Sequence, residues 1–175
     1  MTTKQDLLKA AQNKVREGGY NNFSFRELAK EVGIKSASVH YHFPTKADLA
    51  AELAKQYTHD FISALGEPSA LSSSDTNPVK LFIEQFKKAL YQDKKMCLCG
   101  LLGAEAYALP DQVRSEINHF FRKNIAWLEQ AYLCNDGTNK EQAKQSAIKT
   151  LSLLEGAMMI SIVTEDYSLF DSAIL

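Results

Sequence analysis

Apolar residues fall at helical intervals along almost the whole chain. Leu7, Leu8, Ala11 and Val15 form a first stripe, Phe25, Leu28, Ala29 and Val32 a second, and Ile34, Val39 and Phe43 a short third, with Gly33 between the last two. A fourth, long helix is predicted from about Lys46 to Leu65. Residues 66–78, rich in Gly, Pro, Ser and Asn, then predict a mobile loop. Helical spacing resumes at Leu81, Phe82, Phe86 and Leu90, and again at Leu98, Leu101, Leu102 and Ala106. Pro110 and Asp111 open a helix that carries Val113, Ile117, Phe120, Phe121, Leu128 and Ala131 to about Leu133. Residues 135–139 turn the chain, and a last long helix runs from about Lys140 to Val163 with Ala147, Leu151, Leu154 and Met158 on one side. A short terminal helix follows around Phe170. No strand pattern and no internal repeat interrupts this, so the fold class is all-α.

Helix ends are marked locally. Ser24 followed by Glu27 reads as a capping box, in which the hydroxyl accepts from a backbone N–H and the carboxylate reaches back to the cap. Thr45 and Asp48 open the fourth helix in the same way, with Pro44 separating it from the third. Ala29 gives the small side chain needed where two helices cross, and Gly33 accepts the positive φ of a tight turn. Two short helices about a glycine turn form a helix-turn-helix. On its second helix Lys35, Ser36, Ser38, His40, Tyr41 and His42 are left over as polar side chains able to meet phosphates and base edges.

The string Phe25 to Leu49 closely resembles the N-terminal domain of the TetR family of transcriptional repressors. It combines Leu-Ala before the turn, Val-Gly-Ile across it, and Tyr-His-Phe followed by Thr-Lys before the next helix. The likeness reaches upstream to the Leu7 to Val15 stripe and the Gly18-Gly19-Tyr20 turn, and so covers about the first fifty residues; beyond them only length and helical pattern agree. Ala37 stands where many members have glycine and His40 where they usually have tyrosine.

The resemblance implies a three-helix DNA-binding domain over residues 1–49 and a helical effector-binding and dimerisation domain over 50–175. It implies a repressor without enzymatic activity or cofactor. Such a protein binds a palindromic operator in double-stranded DNA as a homodimer, through its last long helices, and is released by a small-molecule effector. Trp127, Tyr132, Ala147, Gly156, Ala157 and Ser161 suit such a helix pair, and equally suit a monomeric core. Residue by residue, Arg26 matches a base-reaching position near the Ser24 cap, and Lys35, Ser36, Ala37, Ser38 and His40 match the base-facing edge. Tyr41, His42, Thr45 and Lys46 match the backbone clamp, although Tyr41 and His42 also suit packing between helices.

Charge supports that division. The net charge of -1 hides a basic end: residues 1–49 hold eight Lys or Arg against five Asp or Glu, and residues 50–175 hold twelve against sixteen. No signal-peptide core follows Met1, and the longest apolar run, Ala157 to Val163, is too short to span a bilayer, so a cytoplasmic protein without membrane attachment is expected. Cys97, Cys99 and Cys134 do not form a secreted disulfide framework.

Cys97 and Cys99 begin a helix just after Lys94 and Lys95, a setting that lowers thiol pKa and suggests an oxidant or electrophile trigger. Both also suit burial as small hydrophobes. Phe82, Phe86, Tyr107, Phe120, Trp127 and Met159, with the two cysteines, are candidates to line an effector pocket or to fill core. Rival readings are a metal-dependent hydrolase using His40 and His42, or a helical protein-interaction module. The His-x-His spacing places both rings on one side only in a strand, whereas the local pattern is helical, and no metal site is expected.

Overall fold

The computed structural model describes residues 3–73, 76–134 and 138–174, and every regular element among them is helical. The helices are α1 (Thr3–Gly18), α2 (Phe25–Val32), α3 (Ser36–His42), α4 (Lys46–Leu65), α5 (Pro68–Ser73), α6 (Pro78–Lys88), α7 (Leu98–Ala104), α8 (Asp111–Leu133), α9 (Lys140–Thr164) and α10 (Ser168–Ala173). Short 3-10 turns occupy Tyr20–Asn22 and Ala106–Ala108, and a π turn occupies Ala89–Asp93. The chain forms two compact units, Met1–Thr58 with Leu98–Phe120, and His59–Cys97 with Phe121–Leu175.

In the first unit α2 packs on both α1 and α3, and α7 packs on α1. Leu7, Ala11 and Val15 of α1, Leu28 of α2, Val39 of α3 and Leu49 of α4 are completely buried, which removes their apolar surface from water and fixes the three short helices as one body. Leu98, Cys99 and Leu102 of α7 and Val113 and Phe120 of α8 are buried in the same unit. Its extent differs from the 1–49 span expected from the motif. It runs nine residues further along α4 and takes in Leu98–Phe120, from which Glu105 bonds the Tyr20 N–H and Gln112 bonds Asp48.

The second unit is built on aromatic packing. Phe82 stacks on Phe86 at 5.5 Å, Phe61 meets both edge-on at 5.4 and 5.8 Å, and Phe82 lies 5.5 Å from Trp127. The Trp127 indole N–H, which must find an acceptor when buried, donates to the Gly66 carbonyl at 2.8 Å. α9 opens on a capping box: Asn139 Oδ1 accepts from the Gln142 N–H at 3.0 Å and Gln142 Oε1 accepts from the Asn139 N–H at 3.4 Å. The rest of the turn foreseen before it, residues 135–137, lies outside the described residues. α10 is tied down by buried Phe170 and by Asp171, whose carboxylate meets Lys87 Nζ at 2.6 Å and the Tyr91 hydroxyl at 2.8 Å.

The segment expected as a mobile loop holds a helix. Pro68 sits at the first position of α5, where its missing N–H costs nothing, and the Leu71 N–H donates to the Glu67 carbonyl at 3.1 Å. Residues 74 and 75 lie outside the described residues. α9 is long and apolar enough to cross a membrane by length and composition alone. Its buried positions, Ala143, Ala147, Leu151, Leu154 and Met158, face the core of the second unit.

Candidate nucleic-acid interface

The site is assembled from local rules. Ser24 Oγ accepts from the Glu27 N–H at 3.3 Å, as the predicted cap requires, and donates to Glu27 Oε2 at 2.8 Å, a bond that holds the Glu27 carboxyl below its ordinary range. α2 ends at Gly33, in the left-handed region at φ 76°, and the next N–H, that of Ile34, returns to the Ala29 carbonyl at 2.9 Å. That turn aims α3. Val39 and Phe43 are buried beneath it, whereas Lys35, Ser36, Ala37, His40 and Tyr41 are exposed, Tyr41 at 86%. Ser38 and His42 are half-buried, and Arg26 is exposed near the start of α2. The base-facing edge expected from the sequence therefore occupies one uncovered strip of a short helix.

The clamp residues are more committed than the sequence suggests. Both donors of Thr45 are engaged with Asp48 Oδ2, the N–H at 2.9 Å and the hydroxyl at 2.7 Å, and Thr45 Oγ1 accepts from the Asp48 N–H at 3.1 Å. These bonds, with a further one from Gln112 Nε2 at 3.1 Å, hold the Asp48 carboxyl below its usual range. Lys46 Nζ lies 4.8 Å from the Tyr20 ring centroid and 4.6 Å from that of Phe23. Burial lowers its pKa, with Glu27 and Glu105 pulling the other way. Sequence reasoning missed Glu105 altogether. Its carboxylate accepts from the Tyr20 N–H at 2.9 Å, and no local signal connects residues 85 positions apart.

His40 and His42 do not share a site. The His40 ring packs edge-on against Phe25 with Nδ1 3.4 Å from the Pro44 carbonyl oxygen, and the His42 ring packs against Tyr41 at 5.3 Å. Two positions apart on a helix they point in different directions, and no group of His, Cys, Asp or Glu able to hold a metal occurs among the described residues. The hydrolase alternative is not favoured.

The effector candidates divide. Phe82, Phe86, Trp127 and Cys97 are buried in the second unit, and Cys99 and Phe120 in the first, where Phe120 meets Tyr57 at 5.8 Å. Tyr107 is fully exposed on its 3-10 turn and Met159 is 47% exposed on α9, so both face outward where the sequence reading put them with the pocket candidates. The surroundings of Cys97 include two residues of α9 that the sequence reading did not bring to it. Its N–H donates to Met158 Sδ at 3.1 Å, and its side chain lies by the Glu155 carboxyl. Burial pushes that carboxyl up to about 7, with Cys97 opposing the shift. Glu155 was also missed; an acid in an apolar stretch of α9, without a basic residue four positions away on either side, was its signal.

A helix-turn-helix with an uncovered polar edge, joined to a helical second unit, defines a DNA-binding transcriptional regulator. Comparison with known proteins agrees. Residues 4–53 match the family described as bacterial regulatory proteins, tetR family, and residues 77–174 match the C-terminal domain of LmrA/YxaF-like transcriptional regulators. The chain belongs to the TetR family, with a C-terminal domain of the LmrA/YxaF-like kind. It is 26% identical to the HTH-type transcriptional regulator YxaF of Bacillus subtilis over 168 residues, covering 94% of this chain and 87% of that one. Among solved structures, a TetR regulator from Legionella pneumophila matches with a TM-score of 0.86 at 29% identity, covering 99% of this chain and 94% of the other. A TetR-family regulator from Agrobacterium tumefaciens matches with a TM-score of 0.83 at 26% identity, covering 98% and 93%.

Proposed function

We propose that this regulator is a cytoplasmic repressor that binds a palindromic operator as a homodimer and leaves it when a small apolar molecule binds its helical C-terminal part. The observation that carries the DNA-reading assignment is the strip Lys35, Ser36, Ala37, His40 and Tyr41, exposed on α3 while Val39 and Phe43 beneath it are buried. Arg26 and Ser38 extend it, Lys46, His42 and Thr45 flank it, and Ser24 acts through the cap of α2. Two such strips related by a twofold axis, about 34 to 36 Å apart, would meet successive major grooves.

Support for the dimer is the outward side of α9, where Ile148, Leu153, Met159, Ile160 and Val163 are 43 to 78% exposed. An apolar stripe of that length is covered in a stable soluble protein, and a second copy of α9 supplies a matching one. Release then follows from differential binding: a ligand that favours the state with mispositioned heads lowers DNA affinity by the ratio of its affinities for the two states. Burial of Cys97 and Cys99, together with a carboxyl beside Cys97 that opposes thiolate formation, favours a non-covalent effector over a thiol-reactive one.

Selection of bound sites from a random duplex library by the purified protein, with sedimentation in parallel, tests this reading. The expected result is an inverted repeat bound by two protomers. A monomer with equal, weak affinity for every duplex would overturn it.

A further inference from the structure

The C-terminal end of α3 fixes the hydrogen-bonding character of one exposed residue. His40 Nδ1 lies 3.4 Å from the Pro44 carbonyl oxygen, and the ring stands against Phe25 with centroids 4.8 Å apart and planes at 69°. A carbonyl oxygen can only accept, so a hydrogen bond at this contact requires the tautomer with the hydrogen on Nδ1. In a neutral imidazole Nε2 is then a bare lone pair on the other side of the ring. Ser36 and Ala37, four and three positions earlier, are exposed on the same side of the helix, which places His40 in the reading strip.

We propose that His40 reads a base amine: its neutral ring accepts, through Nε2, a hydrogen bond from the exocyclic amine of adenine or cytosine in the major groove. Phosphate oxygens, guanine O6 and N7, and thymine O4 are all acceptors and offer this atom nothing, whereas adenine N6 and cytosine N4 are donors. Tyrosine, usual here in the family that residues 25–49 resemble, has a hydroxyl that can donate to phosphate. The pinned imidazole exchanges that donor for an acceptor. This inference rests on the assignment of α3 as the reading helix.

The test uses the full-length protein and its selected operator at pH 8, where an ordinary imidazole is neutral. Each adenine or cytosine of one half-site is replaced in turn by the analogue that lacks only the exocyclic amine, and binding is measured for wild type and His40→Phe. Phenylalanine keeps a ring against Phe25 and removes the acceptor. The expected result is one position where losing the amine weakens wild type about tenfold, toward the lower end of a base-edge contact, and leaves His40→Phe unaffected. Equal weakening of His40→Phe on every duplex, whatever amine is missing, would make the ring a phosphate contact and overturn the proposal. Amine losses felt alike by both proteins would overturn it too. A wild type that selects no site would instead overturn the operator reading on which it stands.

Discussion

Glu105 Oε2 accepts the backbone N–H of Tyr20 at 2.9 Å, so a carboxylate from the turn after α7 closes the corner between α1 and α2. The corner itself is shaped for it. Gly19 sits at φ 78°, and a Cβ there would strike the Glu105 carboxylate. Gly19→Ala should therefore destabilise by roughly 1–3 kcal/mol from the positive-φ, extended backbone alone, with the collision added. Part of that loss should vanish in Gly19→Ala with Glu105→Ala, since the obstacle is gone. Urea denaturation of the two single variants and the double variant reads the coupling, and strict additivity would show that the two residues do not meet.

Lys46 has two tasks that one variant separates. Lys46→Ala takes a cation away from the Tyr20 and Phe23 rings, and should lower stability by roughly 0.5–1 kcal/mol for each of them. It should also weaken DNA binding uniformly across sequences and reduce the salt slope by about one. A slope equal to wild type would leave Lys46 with the packing task alone.

Glu155 makes stability depend on pH near neutrality. Its folded pKa of about 7 stands above the ordinary value of 4.5, so between those values the folded protein holds a proton that the unfolded chain has released. This contribution is most favourable at the acid end and is lost as pH rises through 7, a change on the order of 3 kcal/mol. Glu155→Gln, neutral throughout, should flatten the curve and raise the melting temperature most at pH 8. Parallel melting curves for the two proteins across pH 5 to 8 would mean that the carboxyl is solvated.

Charge placed on the outer side of α9 should separate the protomers. Ile160 and Val163 are 55% and 78% exposed, so Ile160→Lys with Val163→Glu should leave helix content unchanged. Sedimentation should show a monomer at micromolar concentration, and operator affinity should fall at least tenfold with the loss of the second head. A dimer that persists would place the interface on other residues.

The parts of this molecule legible in its sequence are those whose partners lie within a turn. Ser24 with Glu27, Thr45 with Asp48, and the Gly33 turn were readable because each bond spans a few residues, and α4 begins directly after its Thr45 cap. Family resemblance carried the rest of the function. What escaped depends on distance. Glu105 meets Tyr20 across 85 residues, and Glu155 of α9 reaches Cys97 from a distant part of the chain. Composition also misled: Pro68-Ser-Ala-Leu looks like loop, yet proline at the first position and three non-breaking residues are sufficient for a single helical segment. Aromatic type alone could not tell buried Phe82 from exposed Tyr107, since both rings can bury apolar area and tertiary contacts choose which does.

Gly33 combines a φ of 76° with nothing within 4 Å of where a side chain would begin. The turn is thus closed to ordinary alanine by handedness and not by crowding. D-alanine, whose mirror-image preference matches that backbone, would fit the vacant space, and by restricting the unfolded chain it should stabilise the hinge by about 0.4–1 kcal/mol. A semisynthetic protein carrying it would hold the two reading helices more rigidly than any of the twenty encoded residues allows.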